Sequence, residues 1–126
     1  VPLPKMVLLE RMISRMEPRL EGALVVSWLG DADLEEAGAH EGHTEGLIDT
    51  LRCLRGVRVA ALARERKRGA ALETKVSLRS TDGAVDVAEL AHEWGGGGHT
   101  RAAGFTSNDT ATSLLSWIED ALQGKL

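Results

Sequence analysis

Residues 57–80, V-R-V-A-A-L-A-R-E-R-K-R-G-A-A-L-E-T-K-V-S-L-R-S, decide the architecture. The second half alternates strictly, with Val76 and Leu78 on one side and Lys75, Ser77 and Arg79 on the other, the period of a strand with one buried face. The first half, 57–64, is a short β-branched and alanine-rich run. An antiparallel hairpin is the reading, with the basic stretch Arg64–Arg68 as a solvated turn between the two strands. Downstream, Asp82-Gly83 is a turn. Val85–Trp94 reads as a helix with Asp86 near its start. A glycine run, Gly95–Gly98, leads into H-T-R-A-A-G-F-T and a last strand. From about Asp109 a closing helix places Ala111, Leu114, Leu115, Ile118 and Leu122 on one face.

Upstream, Thr44 is expected to cap a helix carrying Leu47, Ile48, Leu51 and Leu54, ended by Gly56. Residues 22–29 are a buried strand, and Asp31 or Asp33 caps a short helix after it. Leu9, Met12, Ile13 and Met16 form an amphipathic stripe over 5–17, stopped by Pro18. The sum is an α/β chain: a single domain with a mixed four- to five-stranded sheet, helices packed on it, and a glycine-rich loop before the last strand. Strand order is not readable from this pattern.

The 126 residues are 43% apolar and 27% charged, which suits one globular domain. Three Trp, one Phe and no Tyr require an aliphatic core. A net charge of -4 argues against a broad nucleic-acid surface but leaves room for one focused phosphate site. The single Cys53 has no internal disulfide partner, and no apolar run nears the roughly 20 residues that span a bilayer. The expectation is a cytoplasmic chain with no membrane partner. Opening on Val1 and V-P-L-P, it is read as continuing from a preceding domain.

Chemistry concentrates at the glycine run. Ordering four glycines costs conformational entropy. Either their amides surround an anion as a nest, or they form a hinge or a tight turn that uses positive φ. His99 follows at once, placed to donate a hydrogen bond to a phosphate oxygen. Arg79 shares a strand face with Ser77, and Ser80 follows at the strand end. Guanidinium reads phosphate through paired hydrogen bonds, and a hydroxyl adds another donor. The alternative is an ordinary polar sheet face. His40, Glu41 and His43 read as a solvated loop, and His92 stands apart from them, so no metal site and no catalytic residue is expected within these residues.

The strand K-V-S-L-R-S (75–80), the helix around V-A-E-L-A-H-E-W and the block G-G-G-G-H-T-R-A-A-G-F together resemble the DHH-associated domain, type 1, over about residues 22–107. That domain occurs in DHH phosphoesterases. The stretch E-G-L-I-D-T-L-R (45–52) followed by G-V-R-V-A-A-L is similar to their oligoribonuclease/pAp-phosphatase, or NrnA-like, group. The resemblance implies residues 1–20 as a linker helix from an N-terminal DHH catalytic domain holding two Mn²⁺, and residues 21–126 as the substrate-binding domain. No cofactor is then expected in this part. Short oligonucleotides (nano-RNA) or pAp would be held through Gly96, Gly97, Gly98 and His99, with Arg79 and Ser80 or Ser77 on a second phosphate or the ribose edge. The chain lacks the Asp-His-His triplet that names the family. Two other readings stay open. One is a nucleic-acid-binding module without hydrolysis, as at the C-terminal end of alanyl-tRNA synthetases. The other is the equivalent domain of a RecJ-type exonuclease.

Overall fold

A computed structural model describes all residues from Val1 to Leu126. In chain order the elements are helix α1 (Leu3–Arg15), strands β1 (Glu17–Arg19) and β2 (Leu24–Leu29), and helix α2 (Asp31–Ala37). A single 3-10 turn (Glu41–Thr44) and helix α3 (Ile48–Arg52) follow, then β3 (Val59–Arg68), β4 (Ala71–Ser80), helix α4 (Val87–His92), β5 (Gly97–His99), β6 (Ala102–Ser107) and helix α5 (Ala111–Leu122). The strands form one six-stranded mixed sheet in the order β1-β2-β3-β4-β6-β5. Only β2 and β3 run parallel, joined through α2, the 3-10 turn and α3; every other neighbour is antiparallel.

The α/β layering matches expectation, and the strand number exceeds it. The additions are β1 and β5, three residues each at the two sheet edges. Neither Glu-Pro-Arg nor Gly-Gly-His carries alternating apolar side chains, so each joins the sheet by backbone pairing that leaves no sequence period. A second correction concerns the basic stretch. Arg64–Arg68 is not a turn; β3 runs through it, and the hairpin turns at Gly69-Ala70, with Gly69 at φ 62°. Carboxylates hold the extension straight. Glu73 accepts from Arg66 Nε and Nη2 at 2.9 and 2.6 Å, and Asp31 accepts from the Lys67 backbone N–H at 3.0 Å.

Side-chain caps mark where α4 and α5 begin. Asp86 accepts from Ala88 N–H ahead of α4, and Thr110 accepts from Ser113 N–H ahead of α5. Thr44 does not cap α3; its hydroxyl donates to Glu41 O inside the 3-10 turn, and α3 is only five residues long, leaving Leu54 exposed. The stripe on α1 is also shifted. Leu8 and Met12 are fully buried, while Ile13 faces solvent. Contacts outside the helix choose that face: Ser27 Oγ donates to Met12 O, and Arg11 and Arg15 reach Asp33 on α2.

The sheet is covered unequally. On one face Val26, Val59, Ala61, Val76, Leu78 and Phe105 pack under α4 and α5, joined by Leu90, Leu114, Ile118 and Leu122. On the other face Val25, Leu29, Ala60 and Leu62 lie under α1, α2 and α3, against Leu8, Met12, Leu34, Ile48 and Leu51. That second layer ends at β3. Helix α3 still reaches the Arg79 end of β4, and beyond it the same face of β6 and β5 has no helix over it.

Candidate functional site

Strand alternation and register fill the uncovered half-face with a definite grid. Cross-strand partners point to the same side of a sheet. Ala102 on β6 pairs with Arg79 on β4 and with His99 on β5, giving one row Arg79–Ala102–His99. The next row is Ser77–Gly104–Gly97. A third begins with Arg64 on β3 and continues through Lys75 and Thr106. The Arg79 and His99 backbones therefore stand about 10 Å apart, two strand spacings, although 20 positions separate them in the chain.

Arg79 is oriented from two sides. Its Nε donates to Asp49 Oδ1 on α3 at 3.1 Å and its Nη1 to Leu78 O at 2.9 Å, leaving Nη2 without a partner in the protein. Asp49 also pairs with Arg52 at 3.4 Å. The Ser77 hydroxyl beside it is half-buried and makes no hydrogen bond, and His99 is exposed. Over this face the 3-10 turn and the start of α3 form a wall. Between wall and sheet lies a cleft of about 290 Å³ with an apolar floor of Leu29, Ile48 and Leu62 and a polar rim of Arg64, Lys75, Ser77 and Arg79. Across Lys75 a shallower depression meets Gly95, Gly96, Gly104, Thr106 and the Trp94 ring. Trp94 stacks on Phe105 at 5.5 Å, and its Nε1 is buried without a partner.

The glycine run differs from the expected nest. Gly95, at φ 78°, terminates α4: its N–H donates to His92 O, and the Gly96 N–H donates to Ala91 O at 2.9 Å. Gly97–His99 then pairs with β6 as the sheet edge. The amides are thus divided between a helix cap and a strand instead of converging on one point. Close approach is what demands glycine here. A Cβ on Gly96 would sit 2.2 Å from Gly104 O, and one on Gly98 would sit 2.5 Å from Ala102 O. Gly97 is different, because its nearest neighbour would be His92 Nε2 at 3.4 Å. Packing leaves room there, since the only neighbour is the exposed His92 ring at the end of α4.

Ser80 leaves the candidate group. One residue past Arg79, it points to the opposite face, is fully buried, and accepts the Gly83 N–H at 3.2 Å. The structure brings together Arg79, Ser77, His99 and Gly97, and adds Lys75, Arg64 and Asp49. Lys75 was signalled by its alternation with Ser77 and Arg79. Asp49 carried no signal, since a short helix from another part of the chain delivers it. His40 and His43 stack at 3.8 Å and cap the 3-10 turn through their Nδ1 atoms. Burial, His40 and Lys5 hold the His43 imidazole below its usual range. No three Cys, His, Asp or Glu side chains converge as metal ligands.

Residues 21–124 match the DHHA1 domain. The chain belongs to the DHHA1 domain family. No curated protein sequence matches it. Among solved structures, this DHHA1 domain is similar to an exopolyphosphatase-related protein from Bacteroides fragilis, with a TM-score of 0.81 and 22% identity over 98% of this chain and 35% of that one. It is also similar to a pGpG-specific phosphodiesterase from Vibrio cholerae, with a TM-score of 0.57 and 15% identity over 94% of this chain and 37% of that one. A third likeness is to the C-Ala domain of Aquifex aeolicus alanyl-tRNA synthetase, with a TM-score of 0.53 and 15% identity over 80% of this chain and 91% of that domain. At these identities the likeness is one of fold. The DHHA1 domain described here spans 35% and 37% of the first two chains.

Proposed function

We propose that this chain is the substrate-binding domain of a DHH-family phosphoesterase of the NrnA-like group, acting on short oligonucleotides or pAp. The observation that carries the reading is the shared row of Arg79 and His99 on the face that α3 reaches only at its Arg79 end. Arg79, held by Asp49, offers a fixed guanidinium edge to a phosphate oxygen, and Ser77 adds a hydroxyl. His99 offers a ring N–H from the far side of the row. With the phosphate held between them, the scissile bond is presented toward a partner domain, and positioning is this domain's share of the rate. Hydrolysis is assigned to an N-terminal DHH domain carrying two Mn²⁺, which would activate the attacking water. Residues 1–20 would be the linker to that domain, in a cytoplasmic enzyme. The cleft above the face is about 290 Å³ in volume, and the net charge of -4 disfavours a long nucleic-acid track.

The test is to titrate this chain with pApA and with a tRNA hairpin, following backbone amide shifts. We expect pApA to perturb Ser77, Arg79, Gly97 and His99, with no hydrolysis of pApA in added Mn²⁺. Turnover by this chain alone would overturn the division of labour. Binding of the hairpin with no response to pApA would favour the reading supported by the C-Ala likeness, a nucleic-acid-binding module.

A further inference from the structure

The wall of the cleft is built unlike the rest of the fold. None of the four residues in the 3-10 turn is buried, so polar contacts hold it in place. Lys5 on α1 donates to Glu45 O at 2.7 Å, and Arg64 on β3 donates to Glu41 Oε1 at 2.6 Å. A segment fastened without apolar burial opens at small cost. Gly46, at φ 77°, gives it a pivot just before the buried Leu47. Behind the wall Arg64 is 8% exposed, and its buried Nε has no partner. The closed state carries that cost, and access to water would relieve it.

Closure of the turn depends on two imidazoles. His43 Nδ1 accepts the His40 N–H at 3.1 Å, and His40 Nδ1 accepts the Gly42 N–H at 3.1 Å. The rings stack at 3.8 Å. A Cβ on Gly42 would meet His40 Cε1 at 2.9 Å, so glycine is what admits that ring. A neutral imidazole accepts at Nδ1 when its proton sits on Nε2, whereas an imidazolium donates at both nitrogens. Protonating His43 therefore sets a ring N–H against the His40 N–H, and a positive charge against the stacked ring. The surrounding charges do not compensate. Lys5 of α1 opposes a positive ring at position 43. Glu41 is engaged by Arg64 and Arg66 of β3, Asp31 of α2 by Arg64, and Glu45 meets Lys5 through its backbone.

We propose that the 3-10 turn is a pH-gated wall of the cleft, closed while His43 is neutral and released when a proton on His43 breaks its cap on the His40 amide. Release frees Glu41 from Arg64 and loosens Thr44, Glu45 and Gly46, which line the cleft. This gating holds whatever ligand the cleft takes. Burial, His40 and Lys5 keep the His43 imidazole below its usual range in the closed turn. Closure is therefore fully present above the ordinary histidine value, about pH 6.5, and is lost as pH falls through the lower closed-state value. Over that interval the open population grows about tenfold per pH unit.

The experiment follows amide exchange and ring ¹⁵N signals of this chain by NMR from about pH 7.5 to 5, alongside its His43→Asn and His43→Ala variants. An Asn side-chain oxygen accepts the same hydrogen bond without titrating. At the upper pH the His43 ring should carry its proton on Nε2. Protection of the His40, Gly42 and His43 amides should fall about tenfold per pH unit below about pH 6.5. His43→Asn should hold that protection across the range, and His43→Ala should lose it already at the upper pH, while all three chains melt alike. A proton on His43 Nδ1 at the upper pH, or protection indifferent to pH in the unaltered chain, overturns the gate. A pH response that survives in His43→Asn puts the trigger elsewhere and sinks the role of His43. Melting that falls in step with protection makes the response global unfolding, and the gate is then wrong.

Discussion

Neighbouring glycines at 96 and 97 have opposite reasons for being glycine, and substitution separates them. An Ala Cβ at position 96 would meet the Gly104 carbonyl at 2.2 Å, a contact only backbone movement relieves; Gly96→Ala should lower stability by at least about 2 kcal/mol, seen as a fall in melting temperature. At position 97 the nearest atom is 3.4 Å away on an exposed histidine. Gly97→Ala should therefore melt close to the unaltered chain yet bind pApA more weakly; unchanged binding would mean the edge of the face is not used. Arg79→Ala belongs to the same class. Its ion pair to Asp49 is partly exposed and worth about 1 kcal/mol or less to folding, whereas a charge-assisted phosphate contact is worth about 1.5–3 kcal/mol to binding. A collapsed melting temperature with intact affinity would make Arg79 structural. The placement of Ser80 was legible in principle, because a strand turns each successive residue to the other face, so Ser80 cannot share the side of Arg79.

Helix α1 is fastened to the domain by ions as well as by Leu8 and Met12. Asp33, 2% exposed, receives Arg15 Nη2 at 2.7 Å, Arg11 Nη1 at 3.1 Å and the Gly30 N–H at 2.7 Å. Burial alone would raise its carboxyl; Arg15, the Gly30 amide and Arg11 together hold it below the ordinary carboxylate value. The Lys67 amide and Arg64 lower Asp31, and Arg66 lowers Glu73. A carboxyl with a lower folded than unfolded pKa stabilises fully above the unfolded value, near pH 4, and loses that contribution as pH falls through the folded one. The melting temperature should hold from pH 7 to 5 and fall below about pH 4. Asp33→Asn should lose about 3 kcal/mol at pH 7 and show a shallower acid decline. A flat melting temperature from pH 5 to 3 would contradict the assignment. Nothing in the heptapeptide around Asp33 announced this role, since its partners come from a helix 18 and 22 positions earlier. The length of β3 was hidden for the same reason: a run of charged residues reads as solvated until Glu73 and Asp31 are placed beside it.

At the scale of the whole molecule, the two faces of the sheet divide the work, one side sealed by α4 and α5 and the other left half open. Helix α5 buries Leu114, Leu115, Ile118 and Leu122. At roughly 1.5–3 kcal/mol each these amount to about 6–12 kcal/mol, comparable with the whole stability of a domain. Removing residues 111–126 should abolish cooperative unfolding by circular dichroism; a sharp melt in the shortened chain would show the sheet to be self-sufficient. The sequence alone determined the α/β layering, the β3–β4 hairpin and the buried stripe of α5. Each of these is local, written in a period of two or 3.6 residues or in a turn residue. Tertiary structure alone decided that Gly97–His99 is a strand, that α3 reaches β4 at Arg79, and that His99 lies in one row with Arg79. Those outcomes depend on backbone pairing between distant segments, and backbone groups are identical at every position, so no side-chain pattern records which strand will lie beside which.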